Sequence, residues 1–308
     1  MAAPLWMGAC GLEVSFWACT IGSMHRWAIH IVGAGTMGSG IAHCAAMAEL
    51  EVTLIDVRED ALGRARRAIL RDGRLLEMTR RGGGGGGGDA IDRITMTTDA
   101  AALGEASFVI ESAPERLAVK EAIFREMDDR CPPGAVLASA TSSIPIDLIA
   151  SWTGRPERVI GLHFMNPAQW KDAVEVVCGK RTSRETRDAA ESLLQAMGKK
   201  GMPGPDGPGF AINRILMRAI NEAARLVGEG GCRPRALDRL FRECLGHRGG
   251  PLETADLIGL DNVVDTLRVL MDLTGDDGFR PCDALEQLVL AGALGRKAGR
   301  GFYEYPES

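Results

Sequence analysis

The chain has 308 residues, 45% of them hydrophobic and 25% charged, with a net charge of −5. These are the proportions of a globular protein of roughly two domains. The negative charge argues against a nucleic-acid surface, and no apolar run reaches the about 18–20 residues a membrane helix needs. The eight cysteines form no CxxC and no zinc-type spacing. They read as free thiols of a reducing compartment, so the cytoplasm is expected.

Residues 1–23 are apolar but carry Glu13 and no Lys or Arg. They lack the basic character of a secretory or transit segment. They read as a dispensable extension from an early start codon, with no fold assigned. Residues 27–33, WAIHIVG, form the first expected strand, and GAGTMGSG opens a helix running through 41–48. A second strand is expected at 51–56 and a charged, arginine-rich helix at 59–78. The seven glycines 82–88 read as a flexible loop tip, because glycine loses the most backbone entropy on ordering. Further strands are expected at 93–97, 107–111, 135–139 and 159–163, with helices between them. Such alternation predicts an α/β fold with a doubly wound, mostly parallel sheet. The stretch GMPGPDGPG (201–209) reads as a break, with a domain boundary near residue 205. Helical patterns at 210–228, 234–245, 252–273 and 281–293 then predict an all-helical second domain.

Gly33-Ala34-Gly35-Thr36-Met37-Gly38 is a GxGxxG between a strand and a helix, and Asp56 ends the next strand 18 residues after Gly38. In that context it reads as a dinucleotide site. Gly33 permits the tight turn, Gly35 the approach of a pyrophosphate and Gly38 the close packing of helix on strand. A carboxylate at position 56 suits a ribose 2′-OH and repels a 2′-phosphate, which favours NAD over NADP.

His163 ends the apolar run VIGLHF, and Glu175 lies twelve residues later inside AVEVV. Either the two satisfy each other as a structural pair, or they do proton chemistry together. A dehydrogenase needs a base for the hydroxyl proton, and histidine titrates near neutrality. With the dinucleotide motif upstream, the catalytic reading is favoured. His247, in GHRGGP, reads as a capping or structural residue; His25, His30 and His43 receive no role.

ATSSI (140–144), GLHFMNP (161–167), VEVV (174–177), PGFAINR (208–214), GPLETADLIGLD (250–261) and GRKAGRGFYEY (295–305) together resemble the L-3-hydroxyacyl-CoA dehydrogenase family. The resemblance covers about 26–305. It implies a Rossmann-like domain (24–205) and a helical substrate and dimerisation domain (206–308). It implies NAD-dependent oxidation of a 3-hydroxyacyl thioester to the 3-ketoacyl thioester, or the reverse, in a homodimer, without nucleic-acid or membrane partners. By the same resemblance His163 is the base and Glu175 its partner; Ser142 bonds the substrate oxygen or positions His163, and Asn213 polarises the reacting oxygen, with helix capping the bland alternative for both. Glu115, Lys120, Asn166 and Lys297 fall where the family lines its NAD site, with solvated surface charge the bland alternative for Lys120 and Lys297. Three features depart from it: Ala140 replaces an Asn, AQWKDA (168–173) follows Asn166-Pro167, and arginines take the place of the lysines expected on the helix after the second strand. These leave open an acyl-carrier-protein substrate of glyceryl type from polyketide extender-unit synthesis. The sequence also leaves room for a hydroxyacid dehydrogenase that works through a lysine, against which the His163 and Glu175 spacing speaks, and for an inactive NAD-binding protein of crystallin type.

Overall fold

The computed structural model describes residues 27–79 and 89–305. The expected extension 1–23 and the glycine run 82–88 lie outside the described residues. The chain begins with strand β1 (Ile29–Val32), helix α1 (Thr36–Met47), β2 (Val52–Ile55) and α2 (Glu59–Thr79). Then come β3 (Ile94–Thr97), β4 (Phe108–Glu111), α3 (Leu117–Arg130), β5 (Val136–Ser139), α4 (Ile146–Ala150), β6 (Val159–Phe164), β7 (Ala173–Val177), α5 (Arg184–Ala196) and β8 (Lys200–Gly204).

The eight strands form one sheet in the order β3-β2-β1-β4-β5-β6-β7-β8. All neighbours are parallel except β6 and β7. Strands of this kind are apolar throughout because helices cover both faces: every residue of β4, β5 and β6 is buried. One face packs Ile29, Ile31, Leu54 and Ile110 under α1 and α2, and the other packs Val109 and Leu137 under α3 and α4. Chain order reverses between β1 and β4, the position where open α/β sheets form their ligand crevice.

The stretch expected as a break behaves differently. Residues 200–204 pair with β7 as an edge strand, and only the following residues turn away. Pro203 lacks an N–H, which an edge strand tolerates. The glycines and proline that signal a linker are here fitted to a close approach: a Cβ on Gly204 would lie 2.7 Å from Glu175 Oε1.

Five helices follow: α6 (Ile212–Gly228), α7 (Pro234–Leu245), α8 (Pro251–Ile258), α9 (Leu260–Thr274) and α10 (Asp283–Leu290). They share a core that includes Met217, Leu252, Leu267 and Phe279. The periodic run 252–273 is two helices and not one. Gly259 adopts φ +98° between them, a conformation costly for any residue with a Cβ. Among the described residues no helix is long and apolar enough to cross a membrane.

Candidate active site

The glycine loop sits at the crevice. Gly33 has φ +105°, and a Cβ there would meet Ser112 O at 2.7 Å. A Cβ on Gly38 would overlap the Gly33 carbonyl, whereas one on Gly35 would have nothing within 4 Å. The loop is thus tight toward the protein and open where a phosphate would approach. Thr36 and Met37 form the first turn of α1, which has no side-chain cap and no acidic residue. Its N-terminal amides therefore suit an anion. Asp56 accepts N–H bonds from Ala34 (2.8 Å) and Arg58 (3.0 Å), which ties the glycine loop to the end of β2.

The antiparallel register of β6 and β7 sets His163 opposite Glu175. His163 Nδ1 lies 2.9 Å from Glu175 Oε2, and both side chains are buried. Glu175 Oε1 accepts the Ala211 N–H at 3.1 Å, so the carboxylate also ties the sheet to the entry of α6. Burial pushes its pKa upward, but the bonds from His163 and the backbone outweigh it and leave the carboxyl below the ordinary glutamate range. A carboxylate on Nδ1 fixes the tautomer with Nδ1–H donating, so Nε2 keeps the lone pair. Phe210 packs on the ring at 5.9 Å between centroids.

Ser142 and Asn213 meet. The Asn213 amide donates to the Ser142 carbonyl at 3.1 Å, which joins the turn after β5 to the first turn of α6. Neither residue serves as a helix cap. Glu115 accepts bonds from the Ser142 and Ser143 N–H groups (3.1 and 2.9 Å), the Ser143 hydroxyl (2.6 Å) and the Thr141 hydroxyl. Lys120 is 1% exposed, so it is not a solvated charge. Its ammonium donates to Glu111 (2.6 Å) and the Ala113 carbonyl (3.2 Å), 3.4 Å from Glu115. Glu111, fully buried, also accepts the Ser139 hydroxyl at 2.6 Å. Sequence reasoning missed Glu111, Ser139, Thr141 and Ser143. One signal was available: SFVIE ends an apolar strand on a carboxylate, the pattern that had marked Asp56.

Asn166 is exposed and joined to Pro167 by a cis peptide bond. It borders a cavity of about 300 Å³ between α1, α2 and residues 166–170, with Thr36, His43, Asp72 and Trp170. Lys297 stands apart from these residues and pairs with Asp261 of α9 at 2.6 Å. His247 packs its ring on Phe241 beyond the Gly246 cap of α7, a structural role.

Residues 28–204 match the 3-hydroxyacyl-CoA dehydrogenase NAD binding domain, and residues 209–305 match the C-terminal domain of the same enzymes. The chain belongs to the 3-hydroxyacyl-CoA dehydrogenase family. It is 42% identical to a probable 3-hydroxybutyryl-CoA dehydrogenase of Bacillus subtilis, over 91% of this chain and 97% of the relative. Among solved structures it resembles FadB2 of Mycobacterium tuberculosis (TM-score 0.86, 35% identity, 91% and 99% coverage). It also resembles the (S)-3-hydroxybutyryl-CoA dehydrogenase of Ralstonia eutropha (TM-score 0.81, 36% identity, 91% and 99% coverage). The protein is an NAD-dependent oxidoreductase of 3-hydroxyacyl thioesters. The open Gly35, the uncapped α1 and the Asp56 carboxylate fit that cofactor. Neither a polyketide-type substrate nor a crystallin-type role finds support in these relatives.

Proposed function

We propose that the chain interconverts a short 3-hydroxyacyl-CoA of the 3-hydroxybutyryl type and its 3-ketoacyl-CoA, with His163 as general base and acid. The buried pair at 2.9 Å carries this reading. Bound NAD supplies the hydride acceptor. His163 Nε2 takes the hydroxyl proton, and Glu175 stabilises the imidazolium that forms. In the reverse direction the imidazolium returns the proton to the substrate oxygen. Ser142 and Asn213 hold that oxygen and the thioester carbonyl. Asp56 takes the ribose hydroxyls, and Gly33, Gly35, Thr36, Met37 and Gly38 cradle the phosphates. Asn166 borders the same cofactor, and Lys120 and Glu115 support that border from the protein side, Lys120 through its carboxylates and Glu115 through the 141–143 turn. Lys297 would reach it only by leaving Asp261.

The same reading extends to assembly and place. The helical half exposes Ile215, Leu240, Leu245 and Leu290, which supports a homodimer through that half. A division into domains near residue 205 matches the change from sheet to helices. Cytoplasmic residence agrees with the six free cysteines among the described residues.

The test is NADH formation with 3-hydroxyacyl-CoA substrates of increasing chain length, against carrier-protein-bound forms. Turnover highest on the four-carbon CoA thioester is expected. Activity confined to carrier-bound substrates would overturn the CoA reading, and no NADH with any thioester would overturn the whole.

A further inference from the structure

The end of β5 and the turn after it carry four hydroxyl side chains, Ser139, Thr141, Ser142 and Ser143. Three are consumed by two carboxylates: Ser139 donates to Glu111, and Thr141 and Ser143 donate to Glu115. The Thr141 N–H points back to the Ser139 hydroxyl at 3.2 Å, and the Ile144 N–H to the Thr141 hydroxyl at 3.1 Å. Of the four, only the Ser142 hydroxyl has no hydrogen-bond partner among the described residues. Its own backbone is clamped from both sides, the N–H by Glu115 and the carbonyl by Asn213.

We propose that Glu115, held in place by the buried Glu111–Lys120 pair, is a positioning residue for the substrate: it fixes the 139–144 turn so that Ser142 alone presents a free hydroxyl toward the reacting oxygen. This rests on the proposed role of Ser142 in the dehydrogenase reading. Glu115 is the acceptor that this geometry demands, since one carboxylate oxygen collects four donors from three consecutive residues. Lys120 supplies the charge balance, because a carboxylate beside the fully buried Glu111 otherwise disfavours the ionised state of both. Removing one member of such a buried set leaves the others uncompensated, so the arrangement is rigid. Burial works to raise the Glu115 pKa, yet Lys120 and the hydroxyl donors hold it below the ordinary range, so the acceptor stays ionised. The side chain is 25% exposed, so a direct contact with cofactor is also open to it, and the experiment separates the two roles.

Turnover at saturating NAD and binding of NADH to the substrate-free protein are measured for Glu115→Gln, Thr141→Val and Thr141→Ser. Positioning predicts that kcat of Glu115→Gln falls by about 100-fold, the scale for a misplaced oxygen-binding group. NADH Kd should stay within about threefold of wild type, under about 1 kcal/mol. Thr141→Val, which removes one donor without changing charge, should lose about tenfold in kcat, and Thr141→Ser should retain it. A merely structural role would lower melting temperature and leave kcat per folded molecule unchanged. Full kcat with an NADH Kd at least about tenfold weaker would make Glu115 a cofactor contact only. Either result overturns the inference, as does wild-type kcat in Thr141→Val should Glu115→Gln fail to fold. A wild-type chain with no turnover overturns the underlying dehydrogenase reading and this inference with it. An active wild type whose variants keep kcat overturns this inference alone.

Discussion

Two clusters of carboxylates, one in the sheet domain and one among the helices, do opposite things. Near the crevice, Glu111 and Glu115 gather hydroxyl and amide donors around Lys120, and the site still keeps a free hydroxyl on Ser142 and a free face on His163. In the helical half, Asp238 accepts the Leu252 and Glu253 N–H groups (3.0 and 2.8 Å) and the Tyr303 hydroxyl (2.7 Å). Asp256 accepts the Phe302 and Tyr303 N–H groups (both 3.0 Å) and the Tyr305 hydroxyl (2.9 Å). Burial and the bond to Asp256 push Tyr305 up to about 12, so that hydroxyl remains a donor at any ordinary pH. This second cluster straps residues 302–305 onto the helices, its carboxylates taken up by the chain's own donors. Motifs that identify a family thus divide physically. ATSSI, GLHFMNP, VEVV and PGFAINR meet around His163 and Glu175, whereas GPLETAD and GRGFYEY contribute to holding residues 302–305.

The comparison can be broken at either cluster, and the largest effect should come at the site. His163→Ala or His163→Gln should reduce kcat by about 100- to 10,000-fold, while NADH titration of the substrate-free protein stays near wild type. Appreciable turnover would remove the base assignment.

Next comes the strap. A Cβ at Gly301 would overlap the Asp256 carboxyl. Gly301→Ala should cost about 2–3 kcal/mol by overpacking, seen as a lower urea midpoint, with kcat per folded molecule unchanged. Lost kcat without lost stability would show that the strap shapes the site after all.

The pH dependence sharpens the contrast. The Glu175 pKa is depressed in the folded state, so its contribution is present above about pH 4.3, the ordinary glutamate value. It is lost as pH falls through the lower folded value. Glu175→Gln should therefore cost about 2 kcal/mol near neutrality. Urea unfolding should find that gap narrowing below about pH 4; a constant gap would mean that the carboxylate charge is not what stabilises.

The smallest effect lies away from both clusters. The Ser183 side chain accepts the Thr186 N–H at the start of α5. Ser183→Ala should cost about 1 kcal/mol by thermal melt, without any change in kcat.

Much of this was legible in one dimension. The alternation of apolar runs and helices marked the sheet strands up to β6. The glycine spacing marked the phosphate loop, and the odd polar residues in dry strands marked His163 and Glu175. Elements failed where local signals mislead. Gly201, Pro203 and Gly204 read as a linker because only the neighbouring β7 makes an edge strand of them. Gly259 was hidden inside a periodic run because its turn depends on how α8 and α9 pack. Lys120 was open to reading as a surface charge because its burial follows from Glu111, a partner nine residues earlier that meets it only in the fold.

The sequence by itself determined the fold class and the cofactor, and it singled out His163 and Glu175 as the acid–base candidates, since each depends on short-range spacing and on residue type. The tertiary structure decided which hydroxyl stays free, which carboxylates are held by Lys120, and that the end of the chain is strapped by Asp256. Those outcomes depend on long-range pairing, where a buried charge must find whatever donors the fold brings within reach.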